Sequence, residues 1–123
     1  MKLLRDIHEV LGWTAIVSNG LAGLYALAAW RWKQLRGRAV WIAVAVAELM
    51  MMVQVTIGAI LQSNGKFKAP ALHMFYGFVA FITVGLLYSY RYVWKAKNRM
   101  ELAYGLGGLF LMGVGIRGWL QVL

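Results

Sequence analysis

The chain has 123 residues, 62% hydrophobic and 14% charged. A soluble domain of this size cannot cover so much apolar surface with so few charges, so lipid is the expected solvent. Thirteen basic residues against four acidic ones give a net charge of +9, and the cations gather in short gaps between apolar runs. This pattern reads as membrane orientation and contact with anionic headgroups, and leaves no basic face for nucleic acid. The absence of cysteine excludes disulfides, thiolate metal sites, iron–sulfur clusters and covalent haem attachment.

The sequence predicts an all-α integral membrane protein, a single domain of four transmembrane helices near residues 7–30, 39–62, 70–92 and 101–123. Each run has the twenty or so residues that cross a hydrocarbon core of about 30 Å, and helices satisfy their own backbone groups in lipid. The first run follows Lys2 and Arg5 and so opens like a cleavable leader, but it shares a register with the third run that cleavage would destroy. The first separator, Arg31 to Arg38, is strongly basic. The second run carries Glu48 near its centre, where a carboxylate should be protonated or bonded to Ser18, Asn19, Thr83 or Tyr104. Packing or lipid contact accounts for the consecutive Met50, Met51 and Met52, which cannot share one helix face.

Ser63-Asn64-Gly65 breaks the second run, and Pro70 opens the third, where a missing N–H costs nothing. The third separator, Val93 to Met100, carries Lys95, Lys97 and Arg99. The fourth run is rich in glycine, which suits close approach of another helix within the bundle or of another subunit. Short separators force an up-down-up-down bundle. Because separators one and three are the basic ones, loops 31–38 and 93–100 are expected in the cytoplasm and both termini outside, in a bacterial inner membrane. Trp30, Trp32, Trp41, Tyr88, Tyr90, Tyr92 and Trp94 fall at the cytoplasmic ends as an interfacial belt.

Two segments carry a shared motif. His8-Glu-Val-Leu-Gly12-Trp-Thr-Ala15 and His73-Met-Phe-Tyr-Gly77-Phe-Val-Ala80 both read H-x-x-x-G-x-x-A, and they hold the only two histidines. The odd-numbered runs align at an offset of 65 residues. The even-numbered ones align more weakly at 60, which pairs Gly58 with Gly118. The pattern suggests a duplicated helical hairpin with halves 1–62 and 66–123. Residues four and seven apart share a helical face, so each histidine heads a stripe of small residues against which a flat macrocycle could lie. Such stripes equally suit helix packing with no ligand. Two histidines leave a four-coordinate zinc site incomplete, so the metal reading points to iron, with His8 and His73 as ligands. Gln54, Arg117, Lys66 and Lys68 are candidates to bind the propionates of such a group. No nucleophile–base arrangement, phosphate loop or paired acidic site appears, which favours a non-catalytic subunit or electron carrier over an enzyme.

The histidine stripes, His8 with Gly12 and His73 with Gly77, resemble those of membrane-bound b-type cytochromes, whose helical bundles hold haem between histidines on different helices. The resemblance is architectural and covers the four-helix pattern. It implies one bis-histidine haem b near the outer face, in an electron-transfer subunit of a larger membrane redox complex, with a quinone among the candidate partners. Members with two haems use four axial histidines, and this chain has two. The competing expectation is an accessory or assembly subunit without a cofactor, docked on other membrane proteins through its glycine faces. A channel or carrier is weaker, because a four-helix bundle has little room for a pore.

Overall fold

The structure is a computed structural model that describes residues 2–65 and 68–123. Five α-helices follow one another: α1 (Lys2–Arg31), α2 (Arg38–Asn64), α3 (Ala71–Ser89), α4 (Arg91–Ala96) and α5 (Met100–Leu120), with one 3-10 turn at Lys33–Leu35. No strand occurs among the described residues. Three helices, α1, α2 and α3, are long and apolar enough to cross a membrane. The fourth long helix, α5, is diluted by glycine and by Arg117.

The helix ends follow local chemistry. Gly65 closes α2 in the left-handed conformation at φ 84°, which costs a glycine nothing, and its N–H donates back to the Gln62 carbonyl. Pro70 caps α3. At the end of α1 the Arg36 guanidinium donates to the carbonyls of Ala29 and Trp30, both at 2.8 Å, and so satisfies acceptors that the helix leaves open.

Two features depart from the sequence reading. The third run does not continue as one helix to residue 92: it breaks at Tyr90, and what reads as a loop from Val93 onward is largely the short helix α4. Asn98, left-handed at φ 56°, then turns the chain into α5. The aromatic belt also divides. Trp30, Trp32, Tyr88, Tyr90 and Tyr92 are exposed. Trp41 and Trp94 instead pack edge-on against the buried Tyr104, with centroids at 5.5 and 6.0 Å, and the Tyr104 hydroxyl donates to the Leu87 carbonyl at 2.8 Å. This ring cluster fastens α2, α4 and α5 together at the end opposite the histidines.

The closest pairing is between α1 and α5. A Cβ built on Gly108 would lie 2.7 Å from the Asn19 carbonyl oxygen and 2.8 Å from the Gly23 Cα, and one on Gly23 would lie 2.8 Å from the Gly105 carbonyl oxygen. Backbone therefore meets backbone, which only glycine permits. Asn19, 1% exposed, ties the pair to α2 by donating from its amide nitrogen to the carbonyls of Ala15 at 2.8 Å and Ala47 at 3.0 Å. Helix α3 rests mainly on α5 and more loosely on α2, so α1 and α3 face each other across the centre.

Gly108→Ala should wedge α1 from α5 and lower stability by about 1–3 kcal/mol. Thermal unfolding in detergent checks this against Gly113→Ala, whose added Cβ meets nothing within 4 Å and which should leave the midpoint unchanged or raised.

Candidate functional site

The N-terminal ends of α1 and α3 and the C-terminal ends of α2 and α5 enclose a cavity of about 1020 Å³. Both histidines line it, from opposite corners of the bundle, with ring centroids 6.3 Å apart and planes inclined at 76°. Residues separated by 65 positions thus converge on one space.

Each histidine lies against a glycine of the next long helix in the chain. A Cβ on Gly118 in α5 would stand 3.9 Å from His73 Nδ1, and one on Gly58 in α2 would stand 3.0 Å from His8 Cε1. Gly58 and Gly118 are the pair that the offset of 60 aligns. The two corners nevertheless differ in their hydrogen bonds. His73 Nδ1 is 2.8 Å from the Gly118 carbonyl oxygen. A carbonyl only accepts, so Nδ1 carries the hydrogen and the neutral ring keeps its lone pair on Nε2. At the other corner Gln54 intervenes. Its amide nitrogen donates to the His8 backbone carbonyl at 2.7 Å and lies 3.5 Å from His8 Nε2. That bond fixes the amide orientation, since reversing it would set oxygen against oxygen. His8 Nδ1 and Gln54 Oε1 are buried and have no hydrogen-bond partner among the described residues. Two unsatisfied polar atoms beside one cavity suit a ligand.

Six of the expected residues, His8, His73, Gly12, Gly77, Gln54 and Lys68, line the cavity. Their roles are not all as the stripes suggest. A Cβ on Gly12 would fall 2.8 Å from Gln54 Nε2, so Gly12 makes room for that amide rather than for a macrocycle. Gly77 has nothing within 4 Å of its added Cβ and does open onto free space. Arg117 is a correction. It is exposed and lies outside the lining: its guanidinium sits 5.8 Å over the Tyr76 ring and donates to the Tyr76 hydroxyl at 3.4 Å. Its position on α5 directs it past the rim, and Tyr76 stands between it and the space within. Lys68 is in the lining, and Lys66 lies outside the described residues.

Gly58, Gly118, Tyr76 and Trp119 also line the cavity and were not singled out from the sequence as site residues. The two glycines carried a usable signal, because they align with each other as the histidines do. Trp119 packs edge-on against Trp13 at 4.8 Å and forms a wall that no spacing rule announces.

Three of the four donors proposed for Glu48 are directed elsewhere. Asn19 donates to backbone carbonyls, Thr83 to Val79 at 2.7 Å and Tyr104 to Leu87. No cluster of three or more histidine, aspartate, glutamate or cysteine side chains that could hold a metal ion occurs among the described residues. No protein-family model, no curated protein and no solved structure matches the chain.

Gly12→Ala should push the Gln54 amide off the His8 carbonyl and lower stability by about 1 kcal/mol, the worth of one hydrogen bond. Gly77→Ala should be neutral or mildly stabilising, and thermal midpoints of the two variants make the comparison.

Proposed function

We propose that this protein is a small four-helix membrane subunit that binds one haem b between His8 and His73 and passes electrons within a larger membrane redox complex. The single observation behind the reading is the convergence of the only two imidazoles on one cavity. The two rings face one space with centroids 6.3 Å apart, near enough that both would hold a single ion after a small adjustment. The cavity, about 1020 Å³, is at the upper end of the roughly 300–1,000 Å³ usual for small-molecule and cofactor sites.

The residues present fit the group. His73 supplies Nε2, held in orientation by its Nδ1–H bond to Gly118. His8 offers Nε2 as the second nitrogen, and its buried Nδ1 has no partner among the described residues. Gly77 leaves room beside α3, and Trp13 and Trp119 help to shield one end from water. Lys68 at the rim can meet a carboxylate, and Arg117 could join it only by leaving Tyr76. A bound haem would supply a one-electron couple whose potential the protein sets through ligand identity, burial and hydrogen bonding. The chain's own part is to bind, orient and exclude water.

Under this reading α5 is a fourth membrane span, because it lies alongside α1 over its whole length. The basic turns at residues 31–38 and 95–99 lie on the cytoplasmic side and the histidine end lies outside. The accessory-subunit reading draws less support. Its docking faces were the glycines of α5, yet Gly105, Gly107 and Gly108 are occupied by Leu27, Leu87 and Gly23 of the same chain.

Purified protein supplied with haem b should show a Soret band that His73→Ala abolishes or shifts, and an absent or unchanged band would refute the assignment. Because the chain has no cysteine, single-cysteine variants report orientation cleanly. In intact cells Ser63→Cys should react with an impermeant maleimide and Gln34→Cys should not, whereas the reverse pattern would invert the topology.

A further inference from the structure

The two histidine corners occupy matching positions in the fold, and they hold their imidazoles in different ways. We propose that His8 is a displaceable ligand, so that the haem-loaded, reduced protein takes up a small neutral diatomic ligand on the α1 side while His73 keeps its bond to the iron. This rests on the haem reading above.

On the α3 side the ring is fixed. His73 Nδ1–H is bonded at 2.8 Å to the Gly118 carbonyl, a backbone group on a neighbouring helix, which sets both tautomer and ring plane. Outer hydrogen bonds of this kind orient a metal-bound imidazole and raise its basicity. On the α1 side the equivalent bond is missing. His8 lies with its Cε1 edge towards Gly58, and no carbonyl receives its Nδ1. Instead Gln54, whose counterpart at the offset of 60 is the apolar Val114, stands beside the ring. Its amide nitrogen is anchored on the His8 carbonyl at 2.7 Å and lies 3.5 Å from Nε2. The amide is thus placed to donate to an imidazole that has left the metal.

The structure shows one position of His8, with the ring beside Gly58 and Nε2 3.5 Å from the Gln54 amide nitrogen. That position would receive the ring once its Nε2 had left the iron. The exchange balances simply: the His8 nitrogen–iron bond breaks and a bond from the incoming ligand forms at the same position. No electron is transferred and no proton moves, because Nε2 is the atom that would leave the iron and accept from Gln54, and Nδ1 keeps its hydrogen throughout. Space for the newcomer exists beside Gly77 within the cavity.

Carbon monoxide is the probe. Protein loaded with haem b and reduced with dithionite should show its Soret band move on addition of the gas. His8→Ala should bind the gas at least as tightly as the unaltered protein, since no ligand must leave. Gln54→Val, which copies the other corner, should weaken apparent affinity about fivefold, the worth of one hydrogen bond. A Soret band present but unmoved by the gas would overturn this proposal and leave the haem assignment standing. A shift in which His73→Ala tightens binding and His8→Ala does not would assign displacement to the wrong histidine and also overturn it. Absence of any Soret band would overturn the haem reading and this inference together.

Discussion

The contact of α1 with α5, backbone on backbone through Gly23, Gly105 and Gly108, is the constraint from which the rest of the arrangement follows. In lipid there is no hydrophobic force between helices, so close van der Waals approach and a few buried hydrogen bonds must hold them. The glycines supply the first and Asn19 supplies the second, its amide reaching both Ala15 and Ala47. With α1, α5 and α2 fixed in this way, α3 completes the square opposite α1, and the start of each odd helix faces the other across the centre. His8 and His73 meet because the helices that carry them cannot occupy other corners.

The tight and loose parts of the bundle are separate. At one end Trp41, Trp94 and Tyr104 fill the interior. At the other, α2 and α3 are less closely packed, and the cavity lies there. Packing density and open volume are thus divided along the helix axis, with the rigid end supporting the end that can hold a ligand.

Much of this was legible in the residues. The hydrophobic runs located the long helices because length and apolarity alone decide what can cross a bilayer. The duplicated motif located both cavity histidines because equal register on parallel helices means equal depth. The kink at Tyr90 carried no glycine or proline to announce it. The break brings Trp94 onto Tyr104, a residue distant in sequence, and a pattern confined to sequence neighbours does not contain that contact. Gly12 shows a related limit: a small residue makes space, but only the structure says what enters, and here it is the Gln54 amide. Arg117 was placed at about the right depth but on the wrong face, because depth follows from counting residues and facing follows from which helix lies alongside.

The proposed function depends on one iron held by both imidazoles. Electron paramagnetic resonance of the oxidised, haem-loaded protein tests that most directly. The account predicts a low-spin ferric signal at one haem per chain, lost when either His8 or His73 is replaced by alanine. A high-spin signal in the unaltered protein, or a low-spin signal that survives either replacement, would contradict it.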